Sequence, residues 1–322
     1  MKTLFSFIVP VYNTEKYVLR CLLSLVNQNI PASTYNIIVV IDGSLDNSQI
    51  LITQFASNYS NIKIIVQENQ GLSEARNNGL KASESEYVWF VDSDDWIAEN
   101  CLRELLHVMQ ESELDMFEIA PSIPYQDDFA RFFDSRSSVS NLQTGREYLL
   151  NKDFVVGAWA YLFRREFLIQ NRLFFLPKVY FEDEEFTPRA LYFAEKLMAL
   201  KAFSVYSYFI RENSITTLVS DEIIFDKLKV ANSLVCFMKN NVDDDNENLK
   251  KVFYGRAIGI LFSGIKLICK QKKGFFFLNK YLQEASFYKL YPIQIRYIVR
   301  TKTKMLCCFL NFSSYMYYKL KS

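Results

Sequence analysis

The chain has 322 residues, 50% apolar and 23% charged, enough to bury one large or two ordinary cores and too apolar for a disordered tail. With 9 glycines and 7 prolines it is neither collagen-like nor linker-rich, while 28 Phe and 20 Tyr demand a core, a ligand or a membrane surface to cover them. The formal net charge of +1 hides a division: residues 1–249 hold 22 Lys/Arg against 35 Asp/Glu, and residues 250–322 hold 15 against Glu284 alone. An acidic region able to hold a cation is joined to a basic one suited to polyanions or an anionic membrane.

In chain order, residues 4–11 resemble a short signal core, but Pro10 and the absence of a small-residue cleavage site make them a strand. Strand-like runs occupy residues 5–9, 37–41, 62–66, 87–91 and 116–120, alternating with helical patterns at 15–27, 48–58, 73–82 and 100–111. Asn13 or Thr14, Asp46 or Asn47, and Ser73 are the expected helix caps. Nearly all-apolar strands in a strand-helix series imply an α/β fold, a Rossmann-like, mostly parallel sheet with helices on both faces and ligands at the carboxyl ends of its strands.

Residues 121–144 read as an irregular excursion. Periodicity returns at 147–151, in a mixed stretch at 155–163, and at 188–197, where Thr187 and Pro188 suggest a cap and a first-turn proline. A helical region follows from residue 221, with helices at 224–240, 249–269 and 275–284, so the expected domains are 1–220 and a basic extension, 221–322. The apolar run 257–269 is broken by Lys266 and shorter than the roughly 20 residues that cross a bilayer, so no transmembrane helix is expected. Six scattered cysteines without a C-x-x-C pair read as reduced, cytosolic thiols. His107 alone offers no basis for a zinc site or a Ser-His-Asp triad and reads as a helix-surface residue.

The sharpest chemical signal is VWFVDSDDW at residues 88–96, a buried strand ending in Asp92, Asp94 and Asp95. Aspartates with one residue between them can present hard oxygen ligands to a divalent cation whose remaining positions go to a diphosphate and water. The same acids could instead form an acidic turn that caps the next helix. A second cluster, VYFEDEEFTPRALYF, places four acids at 182–185 before the Thr187 cap, where a helix N-terminus favours negative charge; it reads either as a solvated acidic turn or as carboxylates raised by mutual repulsion towards a useful base.

The segments FSFIVPVYNTEKYVLRCLLSLVNQ, NIIVVIDGSLDNS, QENQGLSEARNNGL and YVWFVDSDDW together resemble the successive signatures of family 2 glycosyltransferases with the GT-A fold. The resemblance is dense over residues 4 to about 110 and thinner to about 217. It implies a nucleotide-binding half, 1–120, and an acceptor half, 121–220. Pro10, Tyr12, Asn13 and Asp42 would hold the nucleoside, with Gly71, Arg76 and Asn77 near the donor. Where the family commonly has Asp or Asn before Asp42, this chain has Ile41, one polar contact fewer. Asp92-Ser93-Asp94 matches the family's D-x-D, making Asp94 the direct ligand of Mn²⁺ or Mg²⁺ and Asp92 a contact to sugar, ribose or metal water. Glu182-Asp183 matches the family's E-D pair, making Asp183 the base and Glu182 an acceptor contact. YSYFIRENSITT resembles a Y-x-x-R-x-x-S-x-T segment whose Arg211 would touch the diphosphate. Trp159 is an acceptor-sugar platform or a core residue.

The resemblance thus implies an inverting, metal-dependent hexosyl- or N-acetylhexosaminyltransferase, moving sugar from a nucleotide-sugar, a UDP-sugar by expectation, to a glycan or lipid-linked acceptor in surface polysaccharide synthesis. A non-catalytic nucleotide-sugar-binding or scaffold protein on the same fold is the alternative. A phosphatase would need an aspartate where Pro10 to Asn13 stand. In the basic region, Lys270, Lys272 and Lys273 beside FFF, and Tyr315, Tyr317 and Tyr318 further on, suit an anionic membrane surface or packing on the catalytic domain; nucleic acid is not expected. The expected location is cytoplasmic or peripheral on the inner face of the membrane.

Overall fold

The computed structural model describes residues 3–119, 138–151, 154–201, 204–209, 220–299, 304–305, 307–308 and 311. The chain divides into two compact units, Met1–Lys178 with Phe186–Arg211, and Val179–Glu185 with Glu212–Ser322. Residues 179–185, expected in the first domain, group with the C-terminal helices.

In the first unit, four apolar segments form β1 (Phe5–Val11), β2 (Tyr35–Asp42), β3 (Ile62–Gln67) and β4 (Tyr87–Phe90). They pair in parallel in the order β3-β2-β1-β4, with Val11 beside Ile41 and Ile8 beside Phe90. β1 and β4 are buried throughout, and such strands need cover on both faces. The sheet continues through β7 (Tyr161–Arg164), antiparallel to β4, then β6 (Met116–Glu118), antiparallel to β7, and β8 (Leu197–Ala199), parallel to β6. A separate antiparallel ribbon joins β5 (Trp96–Ile97) to β9 (Tyr206–Ser207).

The helices of this unit begin with α1 (Val18–Val26), α2 (Ser48–Ala56), α3 (Leu72–Ala82) and α4 (Leu102–Glu111). They are followed by α5 (Gly145–Leu150), α6 (Arg165–Gln170) and α7 (Glu182–Phe193), whose first turn falls in the second unit. Ile38, Val40 and Ala75 form one core cluster between β2 and α3. Gly79 lets α3 approach β1, since a Cβ there would stand 2.3 Å from Ile8 Cγ2.

Three expected helix starts are corrected. α1 begins at Val18, after Tyr17: Thr14 contributes its carbonyl, which accepts from the Tyr17 and Val18 amides at 2.9 and 3.0 Å, and the Asn13 side chain is used by the loop after β2. α3 starts after Gly71, which adopts φ +89°, so Ser73 lies inside the helix. α7 starts at Glu182, with Thr187 and Pro188 inside it. The acids 182–185 are therefore its first turn, where the exposed amides favour negative charge. The Thr187 hydroxyl bonds to the Val156 carbonyl.

The second unit is built on α8 (Asp221–Asn241), α9 (Glu247–Lys270) and α10 (Gly274–Phe287). Ser220 and Asn246 cap the first two, each accepting a backbone N–H at 3.2 Å. Phe237 meets Phe253 with ring centroids 5.2 Å apart, and the Tyr281 hydroxyl donates to the Leu261 carbonyl at 3.1 Å. Among the described residues one helix, α9, is long and apolar enough by length and composition to cross a membrane; 44% of its most apolar window is buried in the protein. The run 257–269 fell short of that length because the helix continues N-terminally, through residues 247–256, to 24 residues in all.

Candidate active site

The parallel arrangement of β1 to β4 brings their carboxyl ends to one edge of the sheet, and with them Tyr12, Asp42, Gln67 and Asp92. Tyr12 is 46% exposed after β1. Asn13, in the left-handed region at φ +51°, accepts from the Leu45 amide through Oδ1 at 2.8 Å. Its own amide donates to Ser44 Oγ at 3.2 Å. Further along, the Glu15 amide donates to Asp46 Oδ2 at 2.9 Å, and the Asn47 amide returns a bond to Glu15 Oε2 at 3.0 Å. The PVYN and DGSLDNS loops are thus laced into one surface.

Asp42 closes the next part of that edge. Buried at 3% exposure, it accepts at Oδ1 from Gln67 Nε2 and the Gln70 amide, and at Oδ2 from the Gly71 amide, all at 2.8 Å. One carboxylate therefore organises the loop that leads into α3. Gly43 permits the approach: at φ +66°, a Cβ there would lie 2.8 Å from the Asn69 nitrogen.

The DSDD turn is held from several sides. Arg76, 1% exposed on α3, donates from Nη2 to Asp92 Oδ1 at 2.7 Å. The Asp92 amide donates to the Tyr206 hydroxyl at 3.1 Å, and that hydroxyl donates to Asp95 Oδ2 at 2.6 Å. The Phe209 amide donates to Asp95 Oδ1 at 2.7 Å. Arg20 Nη2 bonds the Asp94 carbonyl at 2.8 Å while its guanidinium lies 3.9 Å from the Trp96 ring centroid. Asp92 and Asp94 are half-buried; Asp95 is 1% exposed. Burial and then the Asp92 charge push the Asp95 carboxyl up to about 8, against the pull of the Phe209 amide and Tyr206 hydroxyl, with Asp94 adding to the rise. Beneath the turn the buried Cys21 thiol is raised by burial and then by Asp95, Asp94 and Asp92.

This accumulation of negative charge tests whether the residues fit a divalent cation. Among the described residues no group of three or more His, Cys, Asp or Glu side chains is disposed to enclose a metal. Asp92 and Asp94, both half-buried on one turn, are hard oxygen donors of the kind a divalent cation takes.

Asn77, 4% exposed, donates from Nδ2 to the Phe175 carbonyl at 2.9 Å and accepts from the Phe175 amide at 2.8 Å, so its amide holds backbone. Trp159 is half-buried, stacked on Tyr206 at 4.7 Å and on Tyr208 at 5.6 Å, and its carbonyl accepts from Trp89 Nε1 at 2.8 Å. Glu182 is buried and Asp183 half-buried in the first turn of α7 in the second unit. Arg211 lies outside the described residues. His107 is exposed on α4, 3.4 Å from Glu111, and the six cysteines are free. Gln67, Arg20 and Tyr206 were not singled out in the sequence, although each lies inside a segment quoted for the resemblance.

A mostly parallel sheet flanked by helices, with Asp42, the start of α3 and the DSDD turn at its strand ends, is a Rossmann-like GT-A architecture. Residues 6–171 match the family model described as glycosyl transferase family 2, and the chain belongs to that family of enzymes. The EpsH protein of Bacillus subtilis (strain 168) is 32% identical over 244 residues, 73% of this chain and 69% of EpsH. Among solved structures, S. aureus TarS 1–349 in complex with UDP-GlcNAc aligns with a TM-score of 0.65 at 24% identity, covering 81% of this chain and 73% of that one. The mannosyltransferase PcManGT from Pyrobaculum calidifontis, in complex with GDP-Man and Mn²⁺, aligns with a TM-score of 0.54 at 16% identity, covering 97% of this chain and 88% of that one. Both share its fold.

Proposed function

We propose that this family 2 enzyme transfers a hexosyl or N-acetylhexosaminyl group from a UDP-sugar, with inversion, to a hydroxyl of a glycan or lipid-linked acceptor in surface-polysaccharide synthesis. The observation that carries the reading is the DSDD turn, clamped by Arg76 and Tyr206 at the strand edge that also bears Asp42. The likeness to TarS, solved with UDP-GlcNAc, supports a uridine donor, and the Mn²⁺ of PcManGT supports a metal.

Asp94 and Asp92 would hold Mn²⁺ or Mg²⁺, which when bound neutralises charge on the diphosphate leaving group. Arg76 holds Asp92 and balances part of its charge, so the turn keeps its shape before donor arrives. Asp42 fixes the Gln67–Gly71 loop through three hydrogen bonds, and with Pro10, Tyr12, Asn13 and Gly71 frames the nucleoside edge. Trp159 and the exposed Tyr208 give the acceptor sugar an aromatic face. Asp183 takes the acceptor hydroxyl proton as its oxygen bonds to the anomeric carbon; the bond from that carbon to the phosphate oxygen breaks on the opposite side, and UDP leaves with the electron pair. Glu182 belongs to the same acceptor turn, and Arg211 would meet the diphosphate. The basic C-terminal region would rest on an anionic membrane through α10, where Phe276 and Phe287, 85% and 80% exposed, lie on one stripe with Lys280 between them.

The deciding experiment is a thermal-shift screen of UDP-glucose, UDP-galactose, UDP-GlcNAc and UDP-GalNAc, with and without Mn²⁺, on wild type and Asp94→Ala. One UDP-sugar should stabilise the wild type in a metal-dependent way, and the variant should lose that dependence. No shift with any of them would end the uridine reading.

A further inference from the structure

Residues 179–185 group with the C-terminal helices, and α8 grips them at four points around Asp183. The Tyr180 amide donates to Asp226 Oδ2 at 3.0 Å; Asp226 is 1% exposed and also takes Lys229 Nζ on Oδ1 at 2.7 Å. Lys227, 4% exposed, sets its ammonium 3.4 Å from the Phe181 ring centroid and 3.8 Å from Glu184 Oε1. Ser233 Oγ donates to Glu185 Oε1 at 2.7 Å. These contacts fall three and two residues before Asp183, and one and two residues after it.

The backbone inside this grip is unusual. Phe181 has φ +66°, a left-handed conformation that a bulky L-residue adopts only under restraint. Strain held next to a reactive group marks a place where geometry is specified by its surroundings. A lysine buried against an aromatic face and a carboxylate is likewise expensive to keep, because burial disfavours its charge; Lys227 is lowered by burial and raised by Glu184. A simple surface pair would need neither feature.

We propose that α8 is the positioning element of the base turn, with Lys227 its central positioning residue: by covering Phe181 and pairing Glu184 it holds the first turn of α7 so that Asp183 presents its carboxylate in one orientation. Asp226 and Ser233 secure the two ends of that turn. The proposal rests on the reading of Asp183 as base. It gives the C-terminal helices a task in the chemical step, apart from any surface they contact.

The test uses the full chain, Mn²⁺ and the four UDP-sugars of the screen, with water standing in for the acceptor hydroxyl, following UDP released by donor hydrolysis and folding by thermal melt. Asp183→Asn should abolish release. Lys227→Met keeps the stem and removes the charge, and it should lower kcat by about 10- to 100-fold, the scale of a misplaced catalytic group, with donor KM within about twofold. Lys227→Arg should recover most of kcat. Ser233→Ala, which removes one hydrogen bond and serves if Lys227→Met does not fold, should lower kcat several-fold at unchanged donor KM. An unchanged kcat in Lys227→Met, or in Ser233→Ala where that variant decides, overturns the positioning role while Asp183→Asn still upholds the base. Activity retained by Asp183→Asn, or no release by wild type, removes the base reading and the proposal with it.

Discussion

Arg76 and Asp92 form a salt bridge of 2.7 Å in which the arginine side chain is 1% exposed and the aspartate 23%. The guanidinium is thus a structural charge of the core. Leaving Asp92 unpaired should cost about 3–5 kcal/mol, the usual price of breaking a buried ion pair. Arg76→Leu should therefore lower stability in urea by that order, with Arg76→Lys in between because a lysine carries the charge without the fork. A loss below about 1 kcal/mol in Arg76→Leu would mean the pair is solvated like a surface bridge.

Asp42→Asn tests the loop before α3. An asparagine retains one acceptor oxygen, but its NH₂ would face either the Gly71 amide or the donors now shared by Oδ1. The unmatched donors should destabilise the fold by about 1–3 kcal/mol and weaken UDP binding together. Calorimetric titration of UDP beside a melt separates the effects: a lower melting temperature with unchanged UDP affinity would restrict Asp42 to holding the loop.

Much of this was legible in the sequence, and the part that was not has a physical reason. Nearly all-apolar runs at residues 5–9, 37–41 and 87–91 announce buried parallel strands, and the edge where such strands end follows from topology. The three C-terminal helices lie within a few residues of their expected bounds because polar breaks flank long apolar periods. By contrast Tyr206, 111 residues from Asp95, carries no local sign that its hydroxyl will bridge two parts of the acidic turn. Nor does anything near Asn77 announce that its amide will hold Phe175, a partner 98 residues away. Register between distant segments cannot be read from periodicity. The start of α7 was misplaced for a different reason: Thr187-Pro188 has the composition of a helix start, while the preceding acids, favoured at a helix N-terminus, already form its first turn.

Glu118 offers a pH test away from the proposed chemistry. Buried on β6, it accepts from the Tyr161 hydroxyl at 3.2 Å and the Val155 amide at 3.3 Å, and it bonds the Tyr148 hydroxyl. Burial raises its carboxyl above the ordinary range despite those donors. The folded chain then keeps a proton that the unfolded chain releases near its ordinary value of about 4.3, so this contribution to stability is full below that pH and is lost as pH rises through the elevated folded value. Glu118→Gln removes the titration. Its stability deficit relative to wild type should be largest in acid and narrow with rising pH in melts taken across the range; a deficit that widens with pH would show the buried carboxylate to be stabilised as the anion.

The exposed stripe of α10 makes the membrane proposal quantitative. Phe276 and Phe287 are eleven residues apart, about 16 Å along a helix at 1.5 Å per residue, and nearly in line around its axis. Lys270, Lys272, Lys280 and Lys289 are also exposed, and Glu284 is the sole acid from residue 250 onward. Each lysine near an anionic leaflet contributes about 1 kcal/mol, and each phenylalanine that leaves water adds up to about 1.5–3 kcal/mol. The full chain should therefore co-sediment with phosphatidylglycerol vesicles and not with phosphatidylcholine vesicles. The double variant Phe276→Ser/Phe287→Ser should reduce the bound fraction at least tenfold without lowering UDP release in solution. Binding that resists this double change but disappears in high salt would assign the contact to the lysines alone, and binding to both vesicle types would leave the charge without a part in it.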